Sequence, residues 1–245
     1  MNTSRTLLIF TLFFFLGCGK LPNFGENETT QAEDYYPFVV SDNIIYSWRG
    51  STNITVFVPS DADSAGITEY KATFRTQILA AISRWQEILT ELGITLTVVD
   101  SGQSDIKILW DDGTKMDVGV LGLASYNPYK NPSRYLQLTT RLKKSSGGYR
   151  DLVDSEIYSI SVHEFGHILG IWSHSYDEKD LMYPILTDIT DLSLRDKATF
   201  RKLYSIPADF NFGSLDKNSI HAAILSCEIT DQPGSAPMGN LSIQE

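Results

Sequence analysis

The stretch that decides the reading is His163-Glu164-Phe165-Gly166-His167-Ile168-Leu169-Gly170, followed by His174 and then by Leu181-Met182-Tyr183-Pro184. Residues four apart on an α-helix lie about one turn apart on the same face. His163 and His167 therefore point two imidazoles at one place. Neutral imidazole is a good zinc ligand, and a catalytic zinc takes three protein ligands and leaves one position for water. Glu164 follows the first ligand and lies beside that position, where a carboxylate can take a proton as general base. The chain has 4 histidines, and three of them stand in this stretch.

Gly170 is free to adopt the left-handed backbone that ends a helix. The chain then turns under the metal and returns His174 as the third ligand. The arrangement resembles the metzincin metallopeptidases, with their HExxHxxGxxH signature and methionine turn, and within them the matrixins. His174-Ser175 and the interval to Leu181-Met182-Tyr183-Pro184 resemble the matrixin continuation. In that family the methionine, here Met182, is a hydrophobic floor below the metal and not a ligand. One departure stands out. The family places its third histidine three residues after the glycine, which here is Ser173, and His174 comes one residue later. A serine hydroxyl is a poor zinc ligand beside imidazole, so the expectation is His174, with a longer turn through Ile171-Trp172.

HExxH alone is a short motif that also arises on ordinary helices. Two rival readings stay open. One is a non-catalytic zinc-binding surface lipoprotein that keeps the metzincin fold, and the other is a surface protein without metal. The resemblance itself implies a zinc-dependent endopeptidase with one catalytic Zn²⁺, Glu164 as general base and a protein or peptide substrate.

The chain has 245 residues, of which 42% are hydrophobic. After its ends are set aside, that suits one domain of about 150–200 residues. The net charge is −10 and the isoelectric point about 4.8. No basic patch stands out, which argues against a nucleic-acid partner, and the expectation is a monomer. No run of acidic residues has the spacing of a calcium loop, so structural Ca²⁺ finds no support. The two cysteines are Cys18 and Cys227. Neither matches the cysteine-bearing propeptide of the family's secreted members, and Cys227 reads as a free thiol, a crosslink site or an incidental residue.

Residues 1–19 read as an export signal. Arg5 is followed by the apolar run Leu7 to Leu16, which is short for a transmembrane helix of about 20 residues. Phe15-Leu16-Gly17-Cys18 resembles a bacterial lipoprotein signal, though Phe15 and Leu16 are bulky for it. Lipidation at Cys18 would anchor the exported protein to the cell envelope without spanning the membrane; plain secretion or an uncleaved anchor are the alternatives. Residues 20–43 are polar and acidic and read as a flexible tether.

The catalytic domain is expected over residues 44–206, with an α+β fold. A twisted mixed sheet is backed by one long helix and followed by an active-site helix and a C-terminal helix. Ile54 to Val58 reads as a strand and residues 61–66 as a loop. Phe74, Ile78, Ala81, Ile82, Trp85, Ile88, Leu89 and Leu92 recur at helical spacing from about Thr68 to Leu92, ended by Gly93. Ile94 to Val99, Asp105 to Trp110 and Tyr135 to Thr139 read as strands, and Lys143 to Gly148 as a loop. Gly119 to Tyr126 resembles the family's edge strand above the cleft, where an extended peptide pairs by main-chain hydrogen bonds. By that resemblance Leu123 and Ala124 are its contacts. The same resemblance implies that Tyr183 and Pro184, with Ile185 and Leu186, form an apolar wall of the pocket for the residue after the scissile bond. No second, structural zinc is expected, since only His221 lies outside the site. The active-site helix is expected to start at Asp154 or Ser155, either of which can cap it. Ser193 to Tyr204 reads as the closing helix with a capping box of Ser193 and Asp196. Residues 207–245 read as a tail, largely disordered and without assigned function.

Overall fold

A computed structural model describes residues 34–35, 47–48, 50–100, 103–127, 132–205 and 225–231. The expected signal 1–19 with Cys18, most of the 20–43 tether, and His221 lie outside the described residues. Among the described residues, no helix is long and apolar enough to cross a membrane.

The fold is α+β, as expected. The elements follow in the order β1 (Asn53–Phe57), α1 (Asp61–Ser64), α2 (Ala72–Glu91), β2 (Thr95–Val99), β3 (Ile106–Asp111), β4 (Val120–Tyr126), β5 (Arg134–Thr139), β6 (Arg141–Lys143), β7 (Tyr149–Asp151), α3 (Asp154–Leu169), α4 (Leu194–Ser205) and β8 (Leu225–Thr230). Six strands form one sheet in the order β2-β1-β3-β5-β4-β8, and β6 and β7 form a hairpin. β2, β1, β3 and β5 run parallel to one another, while β4 is antiparallel to both β5 and β8.

The helical stripe read from the sequence is the buried face of α2, from Phe74 to Leu89. It packs on α3, and the joint is specific. Trp85 donates its indole N–H to the Val162 carbonyl at 2.7 Å, and its ring lies 5.0 Å from Phe200 of α4. Burying one such aromatic side chain stabilises the fold by roughly 2–3 kcal/mol, and a buried indole needs its partner. Val162 thus serves the core through its carbonyl.

Several local expectations are corrected. α2 starts at Ala72 and not near Thr68. Residues 61–64, read as a loop, make a short helical turn because Ser60 and Asp63 cap each other. The loop at 143–148 is the tip of the β6–β7 hairpin. α3 begins at Asp154 with Val153 at the cap position, where the Glu156 carboxylate accepts from the Val153 N–H at 3.0 Å. Neither Asp154 nor Ser155 is the cap.

Two corrections concern the ends of the chain. Tyr35 lies in the stretch read as a tether, yet it is fully buried and bonds Asp196 and Thr199 of α4. Residues 225–230 lie in the stretch read as a disordered tail, yet they form β8. β4 is therefore not an edge strand: β8 covers it. Leu225-Ser226-Cys227-Glu228-Ile229-Thr230 alternates apolar and polar residues, the pattern of a strand. Its partner lies about a hundred residues upstream, and nothing local names it.

Candidate metal centre and cleft

α3 carries His163, Glu164 and His167, all fully buried. Gly170 ends the helix at φ +132°. Its N–H returns to the Gly166 and His167 carbonyls, and the Ile171 N–H also reaches Gly166 at 2.9 Å. This longer turn through Ile171 and Trp172 absorbs the extra residue. It brings His174 Nε2 to 3.2 Å from His167 Nε2, which is itself 3.0 Å from His163 Nε2. The donor atoms of the three histidines lie within 4.8 Å of one another.

The other ring nitrogens decide the tautomers. His163 Nδ1 is 2.7 Å from the Leu181 carbonyl, and His167 Nδ1 is 2.5 Å from the Ile171 carbonyl. A carbonyl only accepts, so each Nδ1 carries the hydrogen and each Nε2 of the neutral ring is a bare lone pair. Burial holds both rings neutral. It pushes His163 down to about 4, against a weaker upward pull from the Leu181 carbonyl. His167 is held well below the usual range by burial, then by its two histidine neighbours. Two lone pairs 3.0 Å apart repel unless a cation lies between them. Ligands about 2.0–2.1 Å from a tetrahedral zinc are themselves about 3.3 Å apart, close to the spacing seen. The three imidazoles thus fit Zn²⁺ and can hold one metal ion.

Glu164 points toward β4. A Cβ placed on Gly122 would lie 2.9 Å from Glu164 Oε1 and Cγ and 2.8 Å from Ile160, so Gly122 admits the carboxylate beneath the sheet. Met182 is fully buried under the helix. A Cβ on Gly166 would collide with its sulfur and come within 3.1 Å of Trp85. After Met182, Tyr183 and Pro184 are half-buried. A cavity opens between the start of α3 and the segment after Ile185, lined by Ser155, Glu156, Ser159, Leu186, Thr187, Asp188 and Thr190.

A match to the matrixin family profile covers residues 47–205. The chain belongs to the matrixin family. Among curated proteins it is similar to the interstitial collagenase of Bos taurus, 28% identical over 171 residues, covering 66% of this chain and 33% of that protein. It is also similar to the metalloendoproteinase 2-MMP of Arabidopsis thaliana, 33% identical over 144 residues, covering 54% of this chain and 37% of that protein. The chain thus spans about a third of the length of each. Matrixins are zinc metalloendopeptidases, and the three clustered histidines agree with that metal.

The matrixin domain contains functional candidates that the motif did not reveal. Asp196 was read only as a helix cap, and it does bond the Ser193 N–H at 2.8 Å. It also accepts from the Leu181 and Met182 N–H groups and from the Tyr35 hydroxyl. Arg134, also buried, donates to the Ile168 carbonyl. Its guanidinium lies 4.0 Å from the Trp48 ring, and Trp48 bonds the same carbonyl at 3.0 Å. Together they satisfy the open carbonyl end of the active-site helix. On β4, Gly122 lies against Glu164; the backbones of Leu123 and Ala124, expected to contact a substrate peptide, pair with β8 opposite Glu228 and Cys227.

Proposed function

We propose that this matrixin domain is a zinc-dependent endopeptidase acting on extracellular or envelope proteins. The observation that carries the reading is the convergence of two lone-pair imidazoles, His163 and His167, with His174 on one point beside Glu164. His163, His167 and His174 would hold one zinc ion, which supplies Lewis acidity toward the scissile carbonyl and its attacking water. Glu164 takes the proton of the attacking water and hands it to the leaving amine. Its burial beside Gly122 keeps bulk water from competing. On the family resemblance, Leu123, Ala124, Tyr183 and Pro184 are proposed to flank an extended peptide and orient it through its main chain once β4 is open to it. Cys18 is proposed as a lipid anchor, on the resemblance of its sequence context alone.

The test is hydrolysis of a mixed peptide library by zinc-loaded protein beside Glu164→Ala. Cleavage by the parent alone, abolished by a chelator, is the expected result. Equal cleavage by Glu164→Ala would overturn the assignment of the base. Stoichiometric zinc with hydrolysis absent from every form of the chain would favour the binding-protein reading.

A further inference from the structure

The position that an extended peptide needs is already taken. β8 runs antiparallel along β4, pairing Tyr126 with Leu225, Ala124 with Cys227 and Gly122 with Ile229. Past Ile229 the segment is gripped from the opposite side as well. The Thr230 N–H donates to the Pro184 carbonyl at 3.0 Å, and the Leu186 N–H donates to the Thr230 carbonyl at 2.7 Å. Ile185 and Thr230 form a parallel bridge. The Asp231 N–H then returns to the Gly119 carbonyl at 3.1 Å. Segment 225–231 is thus held by main-chain bonds between the strand above the cleft and the wall below it. Ile229 is 2% exposed and Thr230 0%. Ile229 stands opposite Gly122, the residue that touches Glu164.

We propose that Leu225–Asp231 is a built-in blocking strand that holds the place of the substrate, so that the full chain is self-inhibited until the segment withdraws. This inference rests on the peptidase reading above. A tethered competitor acts at an effective concentration on the order of millimolar, far above a peptide substrate supplied at micromolar concentration. The bland alternative is a permanent sixth strand that merely protects the edge of β4. The two differ in one respect: the blocking strand obstructs turnover and the permanent strand does not.

The test compares the zinc-loaded full chain with Thr230→Pro, which removes the N–H given to Pro184, and with Ile229→Asp, which places a charge at a buried apolar position. Each is also made in the Glu164→Ala background as a blank. Hydrogen exchange of amides 120–126 reads the pairing, and initial rates on a quenched peptide read the consequence. We expect exchange and Glu164-dependent rate both to rise tenfold or more in the variants. A synthetic peptide of residues 225–231 should inhibit the variants again. If Thr230→Pro does not fold, Ile229→Asp carries the same comparison. Equal rates in the full chain and variants would overturn the blocking strand alone. So would faster exchange without faster hydrolysis. Hydrolysis absent from every form would instead overturn the peptidase reading.

Discussion

Asp196 and His163 do not touch, yet one residue joins them. The Leu181 N–H donates to Asp196 at 2.9 Å, and the Leu181 carbonyl receives His163 Nδ1–H at 2.7 Å. A carboxylate on α4 thereby orients a candidate metal ligand on α3. Such support from behind a ligand fixes ring direction and tautomer. Tyr35 closes the arrangement by donating its hydroxyl to Asp196 at 2.6 Å.

Replacing Asp196 should therefore weaken metal binding from a distance. Asp196→Ala leaves the Leu181 and Ser193 N–H groups buried without their acceptor. The expected effect is about 10–100-fold weaker zinc binding and roughly 2–4 kcal/mol of lost stability. Zinc competition and chemical denaturation measure both. Unchanged zinc affinity would remove Asp196 from this role.

His174 and Ser173 compete for the third position, and their exchange is informative. His174→Ala should lose stoichiometric zinc at micromolar metal, while Ser173→Ala should keep it. Zinc analysis after dialysis decides. Loss of zinc in Ser173→Ala alone would contradict the geometry.

Gly122→Ala tests the approach of β4 to Glu164. The added Cβ would press on Ile160 and the Glu164 carboxylate. Peptide hydrolysis should fall at least tenfold, or about 1.4 kcal/mol, while zinc content stays at one per chain. Normal turnover would show that Glu164 tolerates displacement.

Gly166→Ala should destabilise the domain by roughly 1–3 kcal/mol, because its methyl would overpack against Met182 and Trp85. Pairing it with Met182→Ala should recover part of the loss if the collision is the cause. The denaturation midpoints of the two single variants and the double variant check this.

The metal-free protein should be acid-labile. In the unfolded chain histidine titrates near ~6.5, while burial holds folded His163 at about 4. Above ~6.5 both states are neutral and stability is complete. As pH falls from ~6.5 toward ~4, the unfolded chain takes up protons that folded His163 refuses, and stability drops by roughly 3 kcal/mol for this residue. Denaturation in chelator between pH 7.5 and 4 measures the slope, which should be shallower in His163→Gln.

Local signals were legible in the sequence. The HExxH spacing, Gly170, Met182 and the stripe on α2 depend on residues within one or two turns, where geometry follows directly from spacing. The capping box of Ser193 and Asp196 was legible for the same reason. The second role of Asp196 was not, because its partners Leu181 and Tyr35 lie 15 and 161 residues away. Tyr35 was misplaced in a tether since one buried aromatic in a polar run leaves no periodicity.

By itself the sequence determined the histidine cluster that can hold a metal, the candidate base beside it and the α+β class, because side-chain chemistry at helical spacing carries them. Only the tertiary structure decided that β4 is covered and by what. A ladder of backbone hydrogen bonds bears no residue label, so six alternating residues near the C-terminus could pair with any open edge. The shape of the cleft between Gly122 and Pro184 selected this one.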